Sequence, residues 1–208
     1  MSKKQRLIAY IDGFNLYYGL REARLHKYRW LDLHGMCMSL LKPHQQLELV
    51  RYFTSRVRGN PDTTNRQSLF VDALIAHGGI EIDFGHFLSN LTRCHNCEHV
   101  WKKHEEKKTD VNIAVRLLED AYDNRFDIAM VVSGDSDLEP PIKSIRDRFP
   151  DKHVFVAAPP SRWSAQLSKV ANRAFQISPA TIRSNRLPNP VITADGIELR
   201  PPEGWLPG

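Results

Sequence analysis

Short apolar runs alternate with helix-forming stretches along this chain, and no other feature limits its fold as strongly. LIAYI at Leu7–Ile11, IAMVV within Asp127–Ser133 and VFVAA from Val154 each end at turn-forming or polar residues. Runs that are apolar throughout suit strands covered on both faces, and such strands belong to parallel sheets whose crossover helices supply the cover. The alternation predicts strands at about 7–11, 47–57, 80–88, 127–133, 154–157 and 174–177, and helices at about 15–24, 63–77, from 109, 141–148 and 161–172. The expected fold is α/β, a three-layer domain with a central, mostly parallel sheet and helices on both faces.

Within that frame Asn15 is expected to cap the first helix. The helix from Thr109 is expected to bury Val111, Ala114, Val115, Leu118 and Tyr122, which recur at helical spacing. Residues 89–108 combine a cysteine pair with a charged run and are read as a connecting insertion loop. From Ser184 prolines accumulate (Pro188, Pro190, Pro201, Pro202, Pro207), and Asp195-Gly196 is a hairpin-turn signal. The expected organisation is one domain over 1–183 and a tail over 184–208. Through Val191, Ile192, Ile197, Leu199 and Trp205 the tail would lie on the body or on a partner subunit.

Hydrophobic residues at 41% and charged residues at 25% are values of a folded domain, and the net charge of +5 suits a polyanionic partner. Three cysteines do not make a disulfide framework. The basic, then apolar N-terminus is interrupted by Asp12 and Asn15, and no run reaches the ~18 apolar residues of a membrane span. A cytoplasmic protein without a membrane partner is expected. The chain contains no G-x-G-x-x-G, P-loop or G-x-S-x-G motif, so neither a nucleotide cofactor nor a serine nucleophile is indicated.

The chemistry is carried by carboxylates. VVSGDSDL places Asp135 and Asp137 just beyond one strand, and Asp12 directly follows another. Asp110 opens a helix on the edge where the preceding strand ends, with Glu106 just before it. Ligands of open parallel sheets bind at the carboxyl ends of the strands, so the topology directs Asp12, Asp110, Asp135 and Asp137 to one edge. Unit charges ~4 Å apart repel by about 4 kcal/mol at a near-surface dielectric. Mg²⁺ or Mn²⁺ relieves that repulsion and supports phosphodiester hydrolysis, by activating water and stabilising charge on phosphoryl oxygens. Each aspartate alone also has a structural use, Asp12 in a turn, Asp110 and Asp137 as helix caps.

YIDGFNLYYG, KKTDVNIAVRLLEDAYDNRFDIAMVVSGDSDLEPPIKSIR and HVFVAAPP together resemble the NYN (LabA-like) branch of the PIN-like nuclease superfamily, over residues 6–178. The resemblance implies a PIN-like fold, Mg²⁺- or Mn²⁺-dependent nuclease activity and, usually, an RNA substrate. Carried over motif by motif, it implies Asp12, Asp110, Asp135 and Asp137 as the acidic site, with Asn15 and Ser133 in support. Lys108-Thr109 stand where relatives often have a glycine and a small apolar residue.

Cys94-x-x-Cys97, with His99 and His104 (His86 and His95 are also near), is half of a zinc site and makes structural Zn²⁺ a candidate; the other reading is a reduced pair. Lys107 and Lys108, and with them Lys102 and Lys103, precede Asp110 and are candidates for phosphate contact. So are Arg56, Arg58 and Arg162, and the neighbouring Arg51 and Arg66 would flank the same groove. The expectation is an endoribonuclease that cleaves single-stranded RNA with Asp12, Asp110 and Asp135 on the metal and Asp137 completing the site. A non-catalytic RNA-binding or regulatory module with a structural cation, or a nuclease acting on DNA, would use the same edge. A homo-oligomer is compatible with all three.

Overall fold

Leu7, Ala9 and Ile11 on strand β1 (Gln5–Asp12) enter one hydrophobic core and Ile8 and Tyr10 enter another, all five fully buried. Alternating side chains of one strand thus feed two layers, the reason the run is apolar at every position. The computed structural model describes residues 4–56, 61–93, 97–98, 100–107 and 109–206, with the backbone alone at 86–93 and 101–107.

The main sheet holds β2 (Gln45–Ser55), β3 (Ile80–Arg93), β4 (Val100–Lys107), β5 (Ile128–Val132), β6 (His153–Ala158) and β7 (Arg173–Gln176) besides β1. Its order is β4-β3-β2-β1-β5-β6-β7, and all pairings are parallel except β3 with β4. Helices α1 (Gly13–Glu22), α2 (Leu33–Ser39) and α3 (Pro61–His77) pack on one face. Helices α4 (Thr109–Tyr122), α5 (Glu139–Arg148) and α6 (Ala165–Val170) pack on the other, and α7 (Pro179–Ser184) returns to the first. The chain winds outward from β1 through β2 to β3, then from β5 through β6 to β7. The winding therefore reverses between β1 and β5, the place where an open α/β sheet leaves a crevice at its carboxyl edge.

Three expectations are corrected. Helix α4 buries Thr109, Ile113, Leu117, Asp120 and Ala121, while Val111 and Tyr122 are 61% and 62% exposed. The apolar periodicity misled because a core position of this helix is held by a carboxylate. Asp120 is 2% exposed and accepts from Tyr10 Oη at 2.7 Å, Arg51 Nε at 3.0 Å and Arg125 at 3.2 Å. Residues 89–93 and 100–107 do not merely connect: they belong to an antiparallel ladder of 86–93 with 100–107, from His86↔Lys107 to Arg93↔Val100 at the sheet edge. The cap of α1 is Asp12, not Asn15.

The helices α2 and α7 had no counterpart in the sequence reading. Beyond α7, β8 (Val191–Ile192) and β9 (Glu198–Leu199) make a separate two-stranded antiparallel ladder turned at Gly196, whose φ of 85° favours glycine. Val191 and Trp205 are buried in the core that also holds Ala73 and Leu74 of α3. Among the described residues no helix is long and apolar enough to cross a membrane.

Candidate active-site edge and adjoining cavity

The carboxyl ends of β1 and β5 are tied together by side chains. Asp12 Oδ1 accepts from the Asn15 amide at 2.9 Å, which caps α1, and its Oδ2 accepts from Ser133 Oγ at 2.9 Å. Ser133 Oγ in turn accepts from the Asp135 amide at 3.1 Å, and the Gly134 amide donates to Asn15 Oδ1 at 2.9 Å. Asp135 Oδ1 accepts from the Asp137 amide at 3.0 Å and so caps a one-turn 3-10 helix at Ser136–Leu138. The capping use and the edge position thus coincide in Asp12 and Asp135. A Cβ on Gly134 would lie 1.9 Å from the Arg162 carbonyl oxygen, so the loop after β6 presses directly on this turn.

Asp12 is 4% exposed. Burial raises its pKa, the Asn15 amide and the Ser133 hydroxyl oppose that rise, and Asp135 adds to it. Asp110, in the first turn of α4, is pushed up to about 6 by burial first, then by the charges of Asp12, Asp135 and Asp137. Four carboxylates from three segments therefore share one electrostatic field. Among the described residues, no group of three or more His, Cys, Asp or Glu side chains is arranged to hold one metal ion. The donor chemistry still fits a hard cation: Mg²⁺ keeps several waters and is commonly held by one or two carboxylates. The repulsion raising Asp110 is what such an ion would neutralise.

The remaining sequence candidates are dispersed. Arg51 is 5% exposed and paired with Asp120 and Glu81, so it serves the core and not a groove. Arg56 is exposed, its guanidinium 5.0 Å from the centroid of the Phe84 ring. Arg162 pairs with Glu22 and lies 5.8 Å from the Tyr18 ring, beside the Gly134 turn. Arg58, Lys108, Cys94 and His99 lie outside the described residues, as do the side chains of Glu106, Lys107 and His104; Cys97 is an exposed free thiol.

A cavity of about 490 Å³ begins at Gly13, one residue from Asp12, and extends between α1 and α3 to Trp205. Tyr52 reaches its wall because Gly13 has no side chain: a Cβ there would meet Tyr52 Oη at 2.7 Å. Five separate segments line it, which is why no local motif announces it.

The fold resembles a crystal structure of a protein of unknown function from Vibrio parahaemolyticus, with a TM-score of 0.58, 20% identity, and coverage of 86% of this chain and 96% of that one. Among curated proteins, the chain is similar to 6-hydroxy-3-succinoylpyridine 3-monooxygenase HspA of Pseudomonas putida, 28% identical over 195 residues. That match covers 77% of this chain and 61% of the relative, so the chain spans about three-fifths of the relative's length. The NYN domain profile matches residues 6–178. With the reversal of winding at β1 and β5, the chain belongs to the NYN domain family of the PIN-like nuclease superfamily.

Proposed function

We propose that the protein is a metal-dependent endoribonuclease that hydrolyses single-stranded RNA at the β1–β5 edge. The observation that carries this reading is the shared field of Asp12, Asp110, Asp135 and Asp137, which, after burial, adds to the rise of the Asp110 carboxyl to about 6. Family membership supports the same class of reaction.

Asp110 and Asp135 are the half-buried members of the set, and with Asp12 they would hold Mg²⁺ or Mn²⁺. When bound, the ion supplies charge neutralisation and an activated water for in-line attack on phosphorus. Ser133 and Asn15 hold the geometry, one by bonding Asp12 and the other by fixing the Gly134 amide. Asp137 is exposed at the rim and would orient a water molecule. Arg162, beside the turn, would take a phosphate. Single-stranded RNA should be cut with Mg²⁺ or Mn²⁺ and not with chelator, and Asp110→Asn should slow cleavage on the order of a hundredfold or more. Equal cleavage by wild type and Asp110→Asn would mean contamination and end the reading. A DNA strand of the same sequence assayed beside the RNA separates the two substrate classes.

A second reading takes its reaction from the curated relative, whose name makes it a monooxygenase acting on 6-hydroxy-3-succinoylpyridine. The cavity beside Asp12 favours it, since an aromatic lining suits a heteroaromatic ring. Oxygenation at C3, the carbon that bears the succinoyl group, would form a C3–O bond with an atom of O₂ and break the bond from C3 to that group, with a reductant supplying the electrons that take the second oxygen atom to water. Incubation of 6-hydroxy-3-succinoylpyridine with ¹⁸O₂ and a nicotinamide reductant would place label in the product if this reading holds, and none if the protein is a hydrolase only.

A further inference from the structure

Among the described residues, the cavity between α1 and α3 has a charge imbalance that its own lining does not correct. Three of its lining residues, Arg21, Arg29 and Arg66, are cationic and none is acidic. Arg29 is half-buried, and its Nε is among the buried polar atoms with no hydrogen-bond partner in the described residues. Its guanidinium sits 4.4 Å from the Tyr17 ring centroid and 6.0 Å from that of Trp205, a wall that holds the cation in place without neutralising it. Burial, and after it the like charges of Arg21 and Arg66, hold the guanidinium below its ordinary pKa, against an opposing contribution from Tyr17.

Six of the other lining residues are aromatic and four are leucines, beside a few small or polar ones. Phe70 meets Tyr52 at 6.4 Å and Trp205 at 5.8 Å, both edge to face. An apolar ligand would leave Arg29 Nε unpaired, and a small inorganic anion would leave the rings facing water. A flat ring bearing an anionic group satisfies both, and about 490 Å³ lies within the range of sites for small organic ligands.

We propose that this cavity binds a planar aromatic anion, its ring against Tyr17, Phe70 and Trp205 and its phosphate or carboxylate on Arg29 and Arg66. The site stands on the cavity and does not depend on the nuclease reading of the carboxylate edge, whereas the monooxygenase reading would use this same cavity. The anion has two chemical sources, a nucleotide or an aromatic carboxylic acid.

Calorimetric titration of the full chain tests it, with adenosine and uridine 5′-monophosphates in one arm and 6-hydroxynicotinate in the other. Adenosine, uridine and nicotinamide are the neutral counterparts. Saturable one-to-one binding of an anion is expected, with the neutral counterpart weaker by about tenfold or more. Arg29→Gln and the exposed, structurally safer Arg66→Gln should each lose a similar factor. Asp110→Asn should bind as wild type even though it would lose cleavage, so failure of the nuclease reading and failure of this one are told apart. Binding in the nucleotide arm alone assigns the ligand to nucleotides, and binding in the acid arm alone to aromatic acids. No saturable binding in either arm, equal binding of the neutral compounds, or affinities unchanged in both arginine variants overturns the proposal.

Discussion

The Ser133 hydroxyl donates to Asp12 Oδ2 at 2.9 Å, joining residues 121 apart in the chain across two adjacent parallel strands. The same oxygen accepts the Asp135 amide, so one buried side chain fixes two of the edge carboxylates. Ser133→Ala would leave the buried Asp12 oxygen without this partner. The expected cost is about 1–3 kcal/mol of folding stability, read as a lower urea midpoint. An unchanged midpoint would mean that water replaces the hydroxyl without loss.

Asp110 gives the protein a pH dependence of definite sign. With a folded-state pKa of about 6 against 3.8 for the free group, the native state binds more protons than the unfolded chain between those values. Stability of the metal-free protein therefore falls as pH rises through that window, and the loss stays in force above it. Asp110→Asn removes the loss. At neutral pH the variant should be more stable than wild type by about 1–2 kcal/mol, a discount on the full shift for partial solvent access, and the difference should fade near pH ~4. Urea unfolding of both proteins across this range is the check; a variant less stable than wild type at neutral pH contradicts the raised Asp110 carboxyl, whose causes are burial first and then its acidic neighbours.

Asp120 neutralises Arg51 in the core under α4, and Tyr10 and Arg125 bond to the same carboxylate. Asp120→Ala strands the Arg51 charge, which among the described residues keeps only the half-exposed Glu81. Removing one partner of a buried pair typically costs about 3–5 kcal/mol. Thermal unfolding should show one of the largest losses of any single substitution here, and a loss below about 1 kcal/mol would show that water already reaches Arg51.

Gly134 has no room for a side chain. A methyl group would collide with the Arg162 backbone carbonyl, which cannot turn aside as a flexible side chain would. Gly134→Ala should cost about 1–3 kcal/mol and shift the loop after β6, seen as amide chemical-shift changes around Arg162. Wild-type stability together with unmoved resonances would contradict this packing.

The parts of the fold that were legible in the sequence depend on a single local signal. β1 and β5 stand out because both faces of each are covered, and the edge aspartates follow from strand ends together with the handedness of crossovers. The misread parts depend on partners far away in the chain. The buried face of α4 includes Asp120, which is tolerable only because Tyr10 and Arg51 arrive from other strands. The β3–β4 ladder lies at the sheet edge, where charged side chains are compatible with a strand and hide its periodicity. Asn15 suits a cap by residue type but is the third residue of α1; Asp12 performs that role, and Asn15 reaches across to Gly134. The short helix α2 has Gly35 as its third residue, which weakens any helical signal.

A titration of the purified protein with Mn²⁺, followed by the loss of free-ion paramagnetic resonance signal, addresses the gathering of carboxylates most directly. Saturable binding to wild type is expected, weakened by about tenfold or more in Asp110→Asn, a variant that keeps both capping aspartates and the fold. Binding of equal strength to both proteins, or none to wild type, would contradict a cation site at the β1–β5 edge.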